Sequence, residues 1–237
     1  YCATRYNLKI VCDWHTSDST TAIRQHERQR TIMKIGIIGA GRIGGGLGTG
    51  WIAAGHEVMF GVRNQDDADT KALVGKLGAR ARIGSAAQAA DFGEVIAFAI
   101  PGNAMQAALT ELGDLGGKVL IDATNGLSTP AKAGVQMIAE WTPGAHVYKA
   151  FNSVGFEILG APQFGATRAD MLFCGADGDS RHQVETLIAD MGFNPIYVGD
   201  LSNGPLVEML ARLWGSLAYG QRMGRRLAFK ILTPQDE

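Results

Sequence analysis

From Lys34 onward the chain alternates short apolar runs with longer stretches in which apolar residues recur every three or four positions. The runs have the length of buried strands, and the stretches carry the period of amphipathic helices. Lys34–Ile38 predicts a first strand, residues 42–54 a helix, 57–62 a second strand and 67–77 a second helix. Arg82-Ile83 predicts a short third strand, with a helix starting near Ser85. Residues 95–100 read as a fourth strand halted by Pro101-Gly102, residues 103–112 as a helix and 119–123 as a fifth strand. Farther on, 146–151, 170–174 and 194–198 predict strands, with a helix over 181–191. The last long segment, 205 to about 230, sets Leu206, Met209, Leu210, Leu213, Trp214, Leu217 and Ala218 at helical spacing, flanked by Arg212, Arg222, Arg225 and Arg226. It predicts a helix whose apolar stripe must be buried, against the sheet or against a second copy of the chain.

Strand and helix in alternation predict an α/β fold, a doubly wound and mainly parallel sheet with a C-terminal helical extension. Residues 33–155 would form the main domain. Residues 156–237 would form a smaller part that completes the sheet and carries a helix on the dimer or acceptor side. Residues 1–32 stand apart: they are polar, carry Arg5, Lys9, Arg24, Arg28 and Arg30, and show no sustained apolar period. A poorly ordered extension is the expectation, with Met33 as the natural start. Arg, Ser and Thr are frequent there, as in a targeting peptide, but Asp13, Asp18 and Glu27 fit one badly. Cys12-Asp13-Trp14-His15, with Cys2 nearby, is expected to be incidental rather than a zinc site, because structural zinc sites usually show a second paired set of ligands.

Charge narrows the partners. With 22 Lys and Arg against 23 Asp and Glu, the formal charge of −1 gives no broad positive field for a nucleic acid or an anionic membrane. No run approaches the length of a membrane span. Three cysteines make no disulfide framework, so a reducing, cytoplasmic compartment is expected. Glycine, at 32 of 237 residues, is about twice as frequent as usual, which predicts tight turns and close backbone approaches.

The most informative glycines follow the first strand: Gly39-Ala40-Gly41-Arg42-Ile43-Gly44. In a strand-turn-helix unit this hexad binds a dinucleotide. Gly39 permits the tight turn, Gly41 lets the backbone approach a pyrophosphate, Gly44 lets helix and strand pack, and the helix N-terminus offers free amides to phosphate. The fold is therefore expected to be of the Rossmann type. The second strand ends in Gly61-Val62-Arg63-Asn64, without the acid that would take the ribose hydroxyls of NAD. Arg63 offers a planar guanidinium for the 2'-phosphate of NADP(H), and Asn64 adds a donor. Asp66 and Asp67 fall at the first turn of the next helix, where acids complement the dipole.

Ligands in doubly wound sheets lie against the carboxyl ends of the strands. Ile100 and Pro101 should press on the adenosine side. Asn125, the backbone around Ala150, and Asn152 should sit beside the nicotinamide. The sequence holds no Tyr-x-x-x-Lys pair and no zinc constellation. His56, His146 and His182 fall away from the predicted crevice, and Cys174 reads as a buried small residue. A crevice without acid or base favours hydride transfer between two ring cofactors, which demands positioning more than proton donation.

These residues resemble the NADPH-dependent reductases of the deazaflavin coenzyme F420 and the related oxidoreductase domain of the six-transmembrane metalloreductases. The resemblance runs from Lys34 to about Leu232. It is carried by the Gly39 to Gly44 turn, Gly61-Val62-Arg63-Asn64, Lys149-Ala150-Phe151-Asn152, Phe173-Cys174-Gly175, and the stretch from Val198-Gly199-Asp200 through Pro205 to Glu208. It implies NADPH as donor, a homodimer, and Arg63 with its neighbours on the 2'-phosphate. Two departures stand out. Lys149 to Asn152 is closer to the metalloreductase domain than to the archaeal deazaflavin reductases, and Val62 stands where both usually have serine. The expected activity is hydride transfer between NADP(H) and F420, FMN or FAD. Reduction of a small carbonyl, imine or ferric chelate is the first alternative, and a non-catalytic NADP-sensing module the second.

Overall fold

The computed structural model describes residues 31–129 and 131–234; the extension and its cysteines therefore lie outside the described residues, apart from its last two positions. Residues from Ile32 onward form one unit. Its sheet has eight strands: β1 Lys34–Ile38, β2 Glu57–Gly61, β3 Ala81–Gly84, β4 Val95–Phe98, β5 Val119–Asp122, β6 His146–Lys149, β9 Asp170–Gly175 and β10 Asn194–Tyr197. The helices are α1 Arg42–Ala53, α2 Ala68–Leu77, α3 Ala86–Phe92, α4 Met105–Glu111, α5 Gly134–Trp141, α6 Asp179–Asp190 and α7 Gly204–Gly215.

The strand order is β10-β9-β6-β5-β4-β1-β2-β3. β3 to β6 are all parallel, β9 joins β6 antiparallel, and β10 runs parallel to β9. The order reverses between β1 and β4, so the connections leave in opposite directions from that point and open a crevice at the carboxyl edge. Helices cover both faces. One apolar layer joins Leu47 and Trp51 of α1 to Val184, Leu187 and Ile188 of α6 under the sheet. The other joins Ala89 of α3, Met105 and Leu109 of α4 and Val135 and Ile138 of α5. β1 beyond Lys34, β4 and β5 are buried on both sides, which is why they read as apolar runs, broken in β5 only by Asp122 at its end.

Local chemistry fixes the helix starts. Asp67 accepts the Thr70 amide ahead of α2, and Ser85 with Gln88 forms a capping box ahead of α3. β10 sits at the sheet edge, where Pro195 costs no interior ladder bond.

Three elements depart from the sequence pattern. α5 and the hairpin of β7 Gln163–Phe164 with β8 Thr167–Arg168 were not predicted. The long C-terminal helix is cut short: α7 ends at Gly215 and passes through a wide turn over Ser216–Gly220. Arg222 and Gly224 then take left-handed backbone. Beyond them Phe229 bridges to Asp170, which also accepts the Ile231 amide and the Lys230 ammonium, both at 2.7 Å. Glycines at 215, 220 and 224 weaken helix propagation, while the buried Asp170 carboxylate gains two contacts from the returning chain and its backbone amide a third. Arg222, Arg225 and Arg226 therefore leave the helix.

Candidate active site

Two cavities flank the turn between β1 and α1. The first, of about 640 Å³, lies beyond β2 and β4 and is lined by Gly39, Val62, Arg63, Asn64, Ile100 and Pro101 among others. The second, of about 380 Å³, lies beyond β5 and β6; Ile43, Asn125, Lys149, Asn152, Glu208 and Trp214 line it, with Tyr219 and Arg225. Ala40, Gly41 and Arg42 border a shallow groove of about 860 Å³ that meets the first cavity at Val62. The structure thus gathers the residues expected on the adenosine side in one cavity and Asn125 and Asn152 in the other.

The turn between them has the geometry a pyrophosphate requires. Gly39 has φ +106°, and a Cβ there would come within 2.7 Å of the Ala99 carbonyl. A Cβ on Gly44 would meet the Gly39 carbonyl at 2.0 Å, whereas one on Gly41 would meet nothing within 4 Å. The first two glycines are demanded by the protein itself, and Gly41 opens onto free space above the helix end. Gly41 caps α1 without a side-chain hydrogen bond, and the first turn carries no acid, so the amides and the dipole face outward. Arg42 and Arg225 both lie over the Phe156 ring, at 5.0 and 4.8 Å.

Ala150, just past β6, has its side chain buried in the core and its amide bonded to the Asp122 carbonyl. The residues on either side do the work. Phe151, with φ 61°, is buried between Trp51 and Phe193 and forces a bend after β6. Beyond that bend the Asn152 Nδ2 donates to the Val207 carbonyl at 3.2 Å, and the Asn152 carbonyl accepts from Asn125 Nδ2 at 2.9 Å. Asn152 Oδ1 is buried with no partner. An orphan acceptor at the cavity wall matches an amide donor such as a carboxamide.

The expectation of a crevice lacking acid and base is corrected. Lys149, 1% exposed, donates to Asp122 Oδ2 and to the Thr124 carbonyl, each at 2.7 Å. Asp122 Oδ1 accepts the Thr124 amide and hydroxyl at 2.9 and 2.7 Å. Glu208 stands 3.9 Å from the Lys149 ammonium, accepts the Gly134 amide at 2.8 Å, and is bonded to the Ser128 hydroxyl. Burial raises the Glu208 carboxyl above its ordinary range, against the opposing pull of Lys149. The histidines stay outside. His56 is buried at the other end of the sheet, bonded to the Met33 amide and to Asp190, and His182 pairs with Glu185 on the surface of α6.

Fold and crevice define a dinucleotide-binding domain of the Rossmann type. Residues 34–126 match the family described as NADP oxidoreductase coenzyme F420-dependent. The chain is 27% identical over 181 residues to metalloreductase STEAP3 of Rattus norvegicus, an alignment covering 75% of this chain and 36% of that protein. It therefore spans about a third of the curated relative's length. Among solved structures, one described as an F420-dependent NADP-reductase from Arthrobacter sp. FB24 superposes with a TM-score of 0.77 at 25% identity, covering 85% of this chain and 100% of that one. The hypothetical protein SMa0349 from Sinorhizobium meliloti gives 0.64 at 28% identity, over 75% and 90% of the two chains. A reductive aminase from Aspergillus terreus in complex with NADPH, at 22% identity, TM-score 0.64, and 81% and 64% coverage, shows the same fold. These comparisons show similarity to NADP-dependent oxidoreductases of the coenzyme F420-dependent family and, over part of its length, to a metalloreductase. Among the described residues no helix is long and apolar enough to cross a membrane.

Proposed function

We propose that the protein transfers a hydride between NADP(H) and a deazaflavin, coenzyme F420, or a flavin. The observation that carries this reading is the pair of cavities on either side of an amide-bearing glycine turn, in a chain whose residues 34–126 match a coenzyme F420-dependent family. Arg63 and Asn64 would hold the 2'-phosphate, the Gly39 to Gly44 turn the pyrophosphate, and Asn152 Oδ1 with Asn125 the carboxamide side. NADPH, when bound, supplies a hydride from the C4 carbon of its dihydronicotinamide. Ile43 and Asn152 would orient that ring, and Val154 and Trp214 would screen it from water.

Reduction of an imine or carbonyl is the second reading. The Lys149 and Glu208 groups favour it, because that chemistry needs a proton beside the hydride. NADPH deuterated at C4 separates the two. Deuterium on C5 of reduced F420 supports ring-to-ring transfer, and deuterium on the carbon of a reduced cyclic imine moves the assignment to the second reading. A reducing, cytoplasmic setting suits the free, buried Cys174 thiol. The homodimer implied by the resemblance would use the outer side of α7, where Leu206, Met209 and Leu213 are exposed; sedimentation at micromolar concentration tests it.

A further inference from the structure

Behind the second cavity three ionisable side chains meet from three elements: Asp122 at the end of β5, Lys149 at the end of β6 and Glu208 in the second turn of α7. Two of them close on each other. Lys149 and Asp122 are 2.7 Å apart, and Thr124 fills the remaining positions around both. That pair is neutral as a unit, with two of the three Lys149 N–H donors and both Asp122 oxygens in hydrogen bonds. Glu208 is the group left over. Its carboxyl is 3.9 Å from the Lys149 ammonium, beyond hydrogen-bond length, and its side chain is only 11% exposed. Its direct partners are the Gly134 and Val135 amides and the Ser128 hydroxyl. An ionised Glu208 would give the cluster a net negative charge in a poorly solvated wall, and a protonated one leaves it neutral.

Other groups face the same carboxyl. Arg212, one turn along α7, and Arg225 and Tyr219 from the C-terminal segment line the cavity. Arg225 is bound by Glu157 at 2.7 Å. Lys132, ahead of α5, shares the neighbouring pocket but is paired with Glu140. Cys174 on β9 has its thiol pushed up to about 12 by burial and brings no charge at neutral pH.

We propose that Glu208 is the acid that delivers the proton accompanying hydride transfer in the second cavity, with Lys149 as the positioning residue that tunes it. This rests on the hydride-transfer reading above. The hydride carries two electrons from the nicotinamide carbon to a carbon or ring nitrogen of the acceptor. The displaced electron pair on the acceptor's conjugated nitrogen, or on an imine nitrogen, takes the Glu208 proton. Glu208 is left as a carboxylate and is recharged by one proton from solvent, so NADPH, oxidised acceptor and one proton give NADP and the two-electron-reduced acceptor. The acceptor class follows: an organic ring or imine with a nitrogen conjugated or bonded to the hydride-accepting atom. A ferric chelate takes single electrons and no proton, and would leave Glu208 without a task.

Infrared spectroscopy of the whole protein, titrated from pH 5 to 8, reads the carboxyl without turnover. The expected result is a protonated-carboxyl band that persists above the ordinary glutamate range, vanishes in Glu208→Gln, and shifts its midpoint upward in Lys149→Met. A lysine that merely filled space would not move it. In single turnovers with NADPH and F420, FMN or a cyclic imine, Glu208→Gln should slow reduction by about 100-fold or more and abolish the alkaline fall in rate, with NADPH affinity kept within about twofold. A Glu208 carboxyl ionised throughout the titration, or a Gln variant with the wild-type rate and pH profile, overturns the proposal. If the wild type reduces none of the three acceptors, the hydride-transfer reading fails separately, and an ionised carboxyl in the infrared titration still overturns the proton store at Glu208.

Discussion

Replacing Lys149 by methionine tests the buried pair quantitatively. Methionine matches much of the lysine stem in volume, so the change removes the ammonium while disturbing packing little. Asp122, wholly buried, then keeps its bonds from Thr124 and loses the only cation within hydrogen-bond reach among the described residues. Breaking one partner of such a pair costs about 3–5 kcal/mol, because the remaining charge is stranded in a low dielectric. At roughly 2–4 °C per kcal/mol for a domain of this size, the melting temperature should fall by about 6–20 °C. Lys149→Met with Asp122→Asn removes both charges, and most of the loss should return, to within about 2 kcal/mol of wild type. Calorimetry at pH 7 on the wild type, both single variants and the double variant gives the full cycle. A Lys149→Met protein within about 1 kcal/mol of wild type, or a double variant as unstable as the two losses added, would refute the reasoning.

Arg63 is exposed in the first cavity and makes no ion pair among the described residues. Arg63→Ala should weaken NADPH binding by about 1–2 kcal/mol, roughly 5- to 30-fold, and NADH binding less than twofold; calorimetric titration of both nucleotides checks it, and equal weakening removes the 2'-phosphate assignment. Gly44→Ala places a methyl 2.0 Å from the Gly39 carbonyl, so the strand and helix must separate. A stability loss of about 1–3 kcal/mol by chemical denaturation, with NADPH binding weakened as well, is the expected outcome. The pH dependence has a definite sign at Glu208. Its carboxyl is raised above 4.5 in the folded state, so its contribution to stability is fully present below that value and is lost as pH rises through the folded value. The melting temperature of wild type minus that of Glu208→Gln should fall between pH 4 and 8; a flat or rising difference contradicts the burial argument.

How far the sequence carried depends on whether the information was local. β1, the glycine turn, α1 and β2 were all legible, because a buried parallel strand followed by a turn that only glycine can make leaves a contiguous trace. Arg63 and Pro101 were legible for the same reason, each lying just past a strand end. The C-terminal helix was overextended because apolar spacing continued past Gly215, while the competing bonds to Asp170 come from 60 residues away. α5 has only eight residues, two turns of a period too short to stand out. Lys149, Asp122 and Glu208 are far apart in the chain, and no spacing rule joins them. One signal pointed to them: Lys149 and Asp122 each interrupt an apolar run predicted to be buried, and a charge in such a place must have a partner.

The central claim is that NADPH held across the glycine turn passes a hydride to a ring acceptor in the second cavity. Anaerobic stopped-flow absorbance, with the protein saturated in NADPH and mixed against F420, FMN, FAD and a ferric chelate, tests it most directly. The account predicts rapid, saturable loss of the dihydronicotinamide absorbance with F420 or a flavin, and none with the ferric chelate alone. Tight NADPH binding with no ring acceptor reduced would contradict it.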